Sequence, residues 1–164
     1  GVLAVSPVLD PLGSTRRLDA SPLFRAYFRE RWVRSLRRKE ALYPQRYDFA
    51  DLYEEPSIMA MTWLLLERYT PFPSVEAYFD QYTLTPERLV DVRVPAYLMA
   101  ALDDPIVADA PYAGFDRLER VHLIIQQRGG HMGFVGPFLR TCWYERVILK
   151  LMAELGDRDD NGTA

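Results

Sequence analysis

The sequence predicts an α/β protein, a parallel sheet with flanking helices, interrupted by a long helical insertion. Three observations predict it. Val2–Ser6, Val94–Ala101 and Val121–Gln126 are short, nearly continuous apolar runs, the pattern of strands buried on both faces. Residues 11–92, between the first and second runs, carry helical periodicity. The last two runs are each followed by a helix-like segment, and this closing β-α-β-α order calls for parallel strands with right-handed crossovers. The expected organisation is a core strand in 1–10, a helical lid or cap in 11–92, a C-terminal part of the core in 93–156, and a polar, disordered tail in 157–164.

Taken in order, the first strand ends at Pro7, and Asp10-Pro11-Leu12-Gly13-Ser14 reads as turn chemistry. Ser21-Pro22 supplies an N-cap and a proline at the first helical position. The helix it opens runs to about Leu42 and stops at Tyr43-Pro44. Phe24, Phe28, Trp32 and Leu36 line one face, and Arg25, Arg29, Arg34, Arg37, Arg38 and Lys39 the other. Residues 48–55 form a connector. Ile58–Tyr69, after Glu55-Pro56-Ser57, is a second helix, apolar nearly all round and therefore expected to be well covered. Thr70-Pro71-Phe72-Pro73 is a rigid break. Ser74 caps a short amphipathic helix carrying Val75, Tyr78, Phe79 and Tyr82, and Thr85-Pro86-Glu87 starts a single turn ending near Val90. A helix is expected around 108–118. Gly136-Pro137 opens a final one that runs to about Leu155, where Gly156 stops it.

Composition narrows the function. A net charge of −3 offers no electrostatic footprint for nucleic acid. One cysteine, Cys142, permits no internal disulfide and fits a reducing, cytoplasmic setting. The longest strongly apolar run, Ile58–Leu66, falls well short of the ~20 residues that a membrane-spanning helix needs. The two histidines and one cysteine form no credible metal-ligand spacing. The chain opens on Gly1 directly before a core-like strand, so it is expected to be the C-terminal portion of a longer protein.

The chemistry-bearing residues lie just beyond the last two strands. Ala101-Leu102-Asp103-Asp104-Pro105 brings an acid after one strand; Gly129-Gly130-His131-Met132-Gly133-Phe134 brings a histidine after the next. Acyl transfer by serine needs a base with a pKa near 7 and an acid that holds it in the right tautomer. Loops at the carboxyl ends of parallel strands are where open α/β sheets place such groups. Alone, an Asp-Pro is usually a turn and a Gly-Gly-His a tight loop. Together, in acid-then-histidine order on consecutive loops, they point to the last two members of a Ser…Asp…His triad. Asp104, in a small-x-x-Asp-Pro pattern with Ala101, is preferred as the acid over Asp103, which reads as solvated or as a local cap. His122 lies inside a strand and Cys142 beside Trp143 in a helix, so both read as structural. No Gly-x-Ser-x-Gly occurs in the chain. Ser6 sits nearest the sheet, but Pro7 follows it and lacks the backbone N–H that an oxyanion hole needs at that position.

These segments, with Val5-Ser6-Pro7-Val8-Leu9-Asp10, Ala41-Leu42-Tyr43-Pro44 and the aromatic stretch 74–82, resemble the YheT-like branch of the α/β-hydrolase superfamily over nearly the whole chain. The resemblance implies the C-terminal part of an α/β-hydrolase fold carrying a helical lid. It implies a serine hydrolase of carboxylic esters, lipid or medium-chain in some members, that works without a cofactor. It makes Asp104 the triad acid and His131 the base, and puts the nucleophile elbow and oxyanion loop upstream of Val2. The partners expected are then a small ester substrate and the N-terminal half of the fold. Phe28, Trp32, Met59 and Trp63 are candidates to line the lid, against the plainer reading that they pack in its core. Two other readings stay open. One is a non-catalytic binding module or split subunit; the other is a peripheral membrane association through the Arg-rich helix.

Overall fold

The computed structural model describes residues 1–107, 112–133 and 142–160, with side chains through residue 153. The chain forms two compact units. One comprises Gly1–Pro7 with Leu84–Ala164, the other Val8–Thr83.

The first unit is built on a parallel sheet of three strands in the order β1 (Val2–Val5), β2 (Ala96–Ala101), β3 (Val121–Gln126). β2 takes the centre because its small and apolar side chains, Ala96, Leu98, Met99, Ala100 and Ala101, tolerate burial on both faces. Register pairs Val5 with Met99, and Ala101 with Gln126. Met99 and Ala101 pack with Leu3, Val5 and Ile124, and with Trp143, Tyr144 and Val147 of α5 (Trp143–Asp160). Cys142, a free thiol, stands just ahead of α5 beside this packing.

Two expectations fail in this unit. The helix expected around 108–118 is not present over 112–118, where a 3₁₀ turn, Phe115–Arg117, follows Gly114. Gly114 has φ +87, a left-handed conformation that interrupts a right-handed helix; residues 108–111 lie outside the described part. Gly156 does not stop α5, which continues to Asp160. Glycine inside a helix costs only about 1 kcal/mol, so without a left-handed cap it is no terminator. Gly136-Pro137 lies outside the described residues, as do 161–164 of the expected tail.

The second unit is all helical: α1 (Pro11–Ala20), α2 (Pro22–Leu42), α3 (Ile58–Tyr69) and α4 (Val75–Asp80), with a 3₁₀ turn at Asp51–Tyr53. The expected turn at 10–14 is the start of α1. An Asp-Pro pair serves equally as N-cap and first helical residue, and here the Asp10 carboxylate accepts from the Gly13 N–H at 2.8 Å. Buried Ser14, Thr15 and Leu18 complete a helical face. Ser21, Ser57 and Ser74 cap α2, α3 and α4 in the same way. Val33, Leu36, Phe49, Leu52 and Met61 form the core, with Trp32 packed against it. α3 is less covered than its composition suggests, since Trp63 remains 47 % exposed.

The basic face of α2 is put to use within this unit. Arg25 donates to the Asp19 carbonyl at 2.8 Å, and Arg29 donates to the Glu55 carbonyl at 2.7 Å and to that of Tyr53. Arg34 pairs with Glu30, while Arg37 and Lys39 lie over the rings of Tyr53 and Tyr47. Among the described residues no helix is long and apolar enough to cross a membrane.

Asp19 ties α1 to α3. Its carboxylate accepts from the Ser57 hydroxyl and from the Ile58 and Met59 N–H groups, each at 2.8 Å, an anion on the positive end of a helix. Asp19→Ala is therefore expected to destabilise the protein by about 2 kcal/mol, with Asp19→Asn intermediate, as read by urea denaturation.

Candidate active site

The register of the sheet brings three chain exits to one edge. β1 leaves through Ser6, whose N–H donates to the Met99 carbonyl at 2.7 Å; β2 leaves through Leu102, whose N–H donates to the Gln126 carbonyl at 2.8 Å. β3 leaves into the loop that carries His131.

Asp104 and His131 meet there. Asp104 Oδ2 lies 3.0 Å from His131 Nδ1, with the Asp104 side chain 4 % exposed and that of His131 34 % exposed. The other carboxylate oxygen, Oδ1, accepts from the N–H groups of Ile106 at 2.8 Å and Val107 at 2.9 Å. Pro105 has no N–H to offer, so the loop folds back and supplies the next two. A carboxylate is an acceptor only, so the 3.0 Å contact calls for a proton on Nδ1; in the neutral imidazole that tautomer has its lone pair on Nε2, the form of a general base. Burial, and after it the charge of Asp104, raises the phenol pKa of neighbouring Tyr112 above its ordinary value of 10.0.

Asp103 is more than a solvated side chain or a cap on its own loop. Its Oδ1 accepts from the N–H groups of Gly129 and Gly130, both at 2.8 Å, across to the histidine loop. Gly130 sits at φ +57 with nothing near the place a Cβ would occupy, so its backbone conformation, not space, calls for glycine. The bond from Gly130, more than the one from Gly129, holds the Asp103 carboxyl below its ordinary value of 3.8. A depressed pKa means that this clamp is fully present above the ordinary value and lost as pH falls through the lower, folded one. The Gly129 and Gly130 amide signals are expected to titrate together below pH 3.8, and Asp103→Asn should remove that titration.

His122 is exposed on β3, its ring 4.8 Å from that of its register partner Tyr97. Phe28, Trp32, Met59 and Trp63 belong to the helical unit. Trp32 contributes to its core packing, while Trp63 lines a cleft of about 240 Å³ with Leu66, Glu67, Phe72, Pro73 and Ser74. A cavity of about 520 Å³ in the sheet unit, lined by Pro86, Glu87, Val90, Gly114, Arg117 and others, includes neither Asp104 nor His131. Among the described residues no group of three or more His, Cys, Asp or Glu side chains is placed to hold a metal ion.

No protein family, curated protein or solved structure matches the chain. Loops leaving two adjoining parallel strands carry a buried, hydrogen-bonded aspartate and a half-exposed histidine that it orients.

Proposed function

We propose that this chain is the C-terminal portion of a serine hydrolase of carboxylic esters, of the YheT-like branch of the α/β-hydrolases. Asp104 is its triad acid and His131 its base. The observation that carries the reading is the 3.0 Å contact between Asp104 Oδ2 and His131 Nδ1 on the loops that leave two consecutive parallel strands, with the acid buried and the base accessible. That is the orienting half of a triad. The 164 residues hold no Gly-x-Ser-x-Gly, so the reading assigns the nucleophilic serine and the oxyanion donors to sequence upstream of Gly1.

In the complete enzyme the serine oxygen attacks the acyl carbon while His131 Nε2 takes its proton. The proton passes to the departing alkoxide, which leaves as the alcohol. A water then gives a proton to His131 and attacks the acyl-enzyme, and the carboxylic acid is released as the serine regains its proton. Asp104 holds Nδ1–H throughout and stabilises the imidazolium. The helical unit, inserted between two strands that are neighbours in the sheet, is proposed as the lid, with Phe28, Met59 and Trp63 offering apolar surface to an acyl chain.

The test is to read the coding sequence upstream of Gly1, express the extended chain, and assay it with p-nitrophenyl esters and a fluorophosphonate probe. A strand, a Gly-x-Ser-x-Gly turn and a helix, with probe labelling of that serine, are expected. An extended chain that carries no elbow, or has one but neither labels nor hydrolyses esters, would overturn the reading in favour of a binding module or split subunit.

A further inference from the structure

We propose that Ser6 is a positioning residue for His131, holding the main chain of the base in place while Asp104 orients its ring. The proposal rests on the triad reading above. Ser6 ends β1, is 5 % exposed and, among the described residues, is the non-glycine residue with a positive φ, +47. A side chain is strained in that region, and such conformations persist only where the surroundings hold them. Here the Ser6 N–H is tied to the Met99 carbonyl at 2.7 Å, and the hydroxyl donates to the carbonyl oxygen of His131.

That bond spans 125 positions and lands on the residue whose ring meets Asp104. Its effect follows from the loop it holds. Gly129, Gly130 and Gly133 surround His131, and glycines leave a backbone free to wander. Asp103 fixes the N–H side of this turn at Gly129 and Gly130; Ser6 fixes the carbonyl side at His131; Asp104 fixes the ring. An imidazole must be held within about 0.5 Å to serve as a base, and a ring bond alone would let the loop and the ring swing together. Ser6 carries its hydroxyl to a carbonyl oxygen, so it accounts for a serine at the sheet edge without making it a nucleophile.

The experiment is NMR of the ¹⁵N-labelled extended chain, reading the His131 ring tautomer and its Nδ1 proton signal. Three variants are compared. Ser6→Gly accepts the positive φ and removes only the hydroxyl; Ser6→Ala removes the hydroxyl and keeps the strain; Asp104→Asn tests the ring contact itself. In Ser6→Gly and Ser6→Ala, with circular dichroism unchanged, the Nδ1–H tautomer is expected to give way to a mixture and the Nδ1 proton to broaden. In the chain extended to include the nucleophile, kcat is expected to fall about 10- to 100-fold with KM little changed. If Asp104→Asn alters the His131 signature but Ser6→Gly leaves it as in the unsubstituted chain, the positioning role is overturned and the triad reading stands. If Asp104→Asn also leaves it unaltered, the triad reading falls and this proposal with it. A Ser6→Gly chain that fails to fold would assign the residue to the fold alone and overturn its role toward His131.

Discussion

Asp104→Asn is expected to lower ester turnover in the extended enzyme by about 10⁴-fold. The side chain keeps its shape, so Ile106 and Val107 retain an oxygen to donate to. The group facing His131 then becomes an amide, whose NH₂ is a donor. A donor at that place favours the tautomer with the proton on Nε2, which cannot accept from a serine. His131→Ala removes the base itself and should lose at least as much. The double variant is expected to be no worse than His131→Ala alone, because the two residues act as a unit. Kinetics of all three with one ester substrate check this. Turnover in His131→Ala close to that of the unsubstituted enzyme would exclude His131 as the base.

Phe49→Ala is expected to destabilise the helical unit by about 3–5 kcal/mol. Phe49 is 1 % exposed and forms the centre of an aromatic group, stacked on Tyr47 with ring centroids 5.4 Å apart and edge-on to Tyr69 at 5.5 Å. Its N–H donates to Glu40 Oε1 at 2.9 Å, and Tyr53 donates its hydroxyl to Glu40 Oε2 at 2.6 Å. Burial, with help from that bond, pushes the Tyr53 phenol up to about 12, so the donor stays protonated through the ordinary pH range. Truncation therefore opens a cavity beside a hydrogen-bonded carboxylate. Thermal and urea unfolding of Phe49→Ala measure the loss, and Phe49→Leu should recover much of it.

Local chemistry carried many of the elements. α2 and α3 end where their caps and prolines put them, and β3 spans the residues of its apolar run. The misses share one physical cause, that a local signal has two outcomes and the neighbourhood chooses. Asp10-Pro11 makes a turn or starts a helix, and burial of Ser14, Thr15 and Leu18 decided for α1. Gly156 ends a helix only in a left-handed cap, and Gly114, which is left-handed, interrupts the described part of the segment where a helix was expected at 108–118.

The site divides along the same line. By itself the sequence determined that an acid and a histidine follow successive strands of a parallel sheet, because apolar runs and turn residues are read from neighbours in the chain. It also determined that Asp104 precedes a proline, which has no N–H to offer the carboxylate; that Ile106 and Val107 supply theirs instead was seen only in the folded loop. Only the tertiary structure decided that Asp104 reaches His131, that Asp103 clamps Gly129 and Gly130, and that the Ser6 hydroxyl finds the His131 carbonyl. Those contacts join residues from different strand ends, and strand register sets which of them come level. Register is fixed by packing β2 between its two neighbours, with Val5 beside Met99 and Ala101 beside Gln126, and no local pattern encodes it.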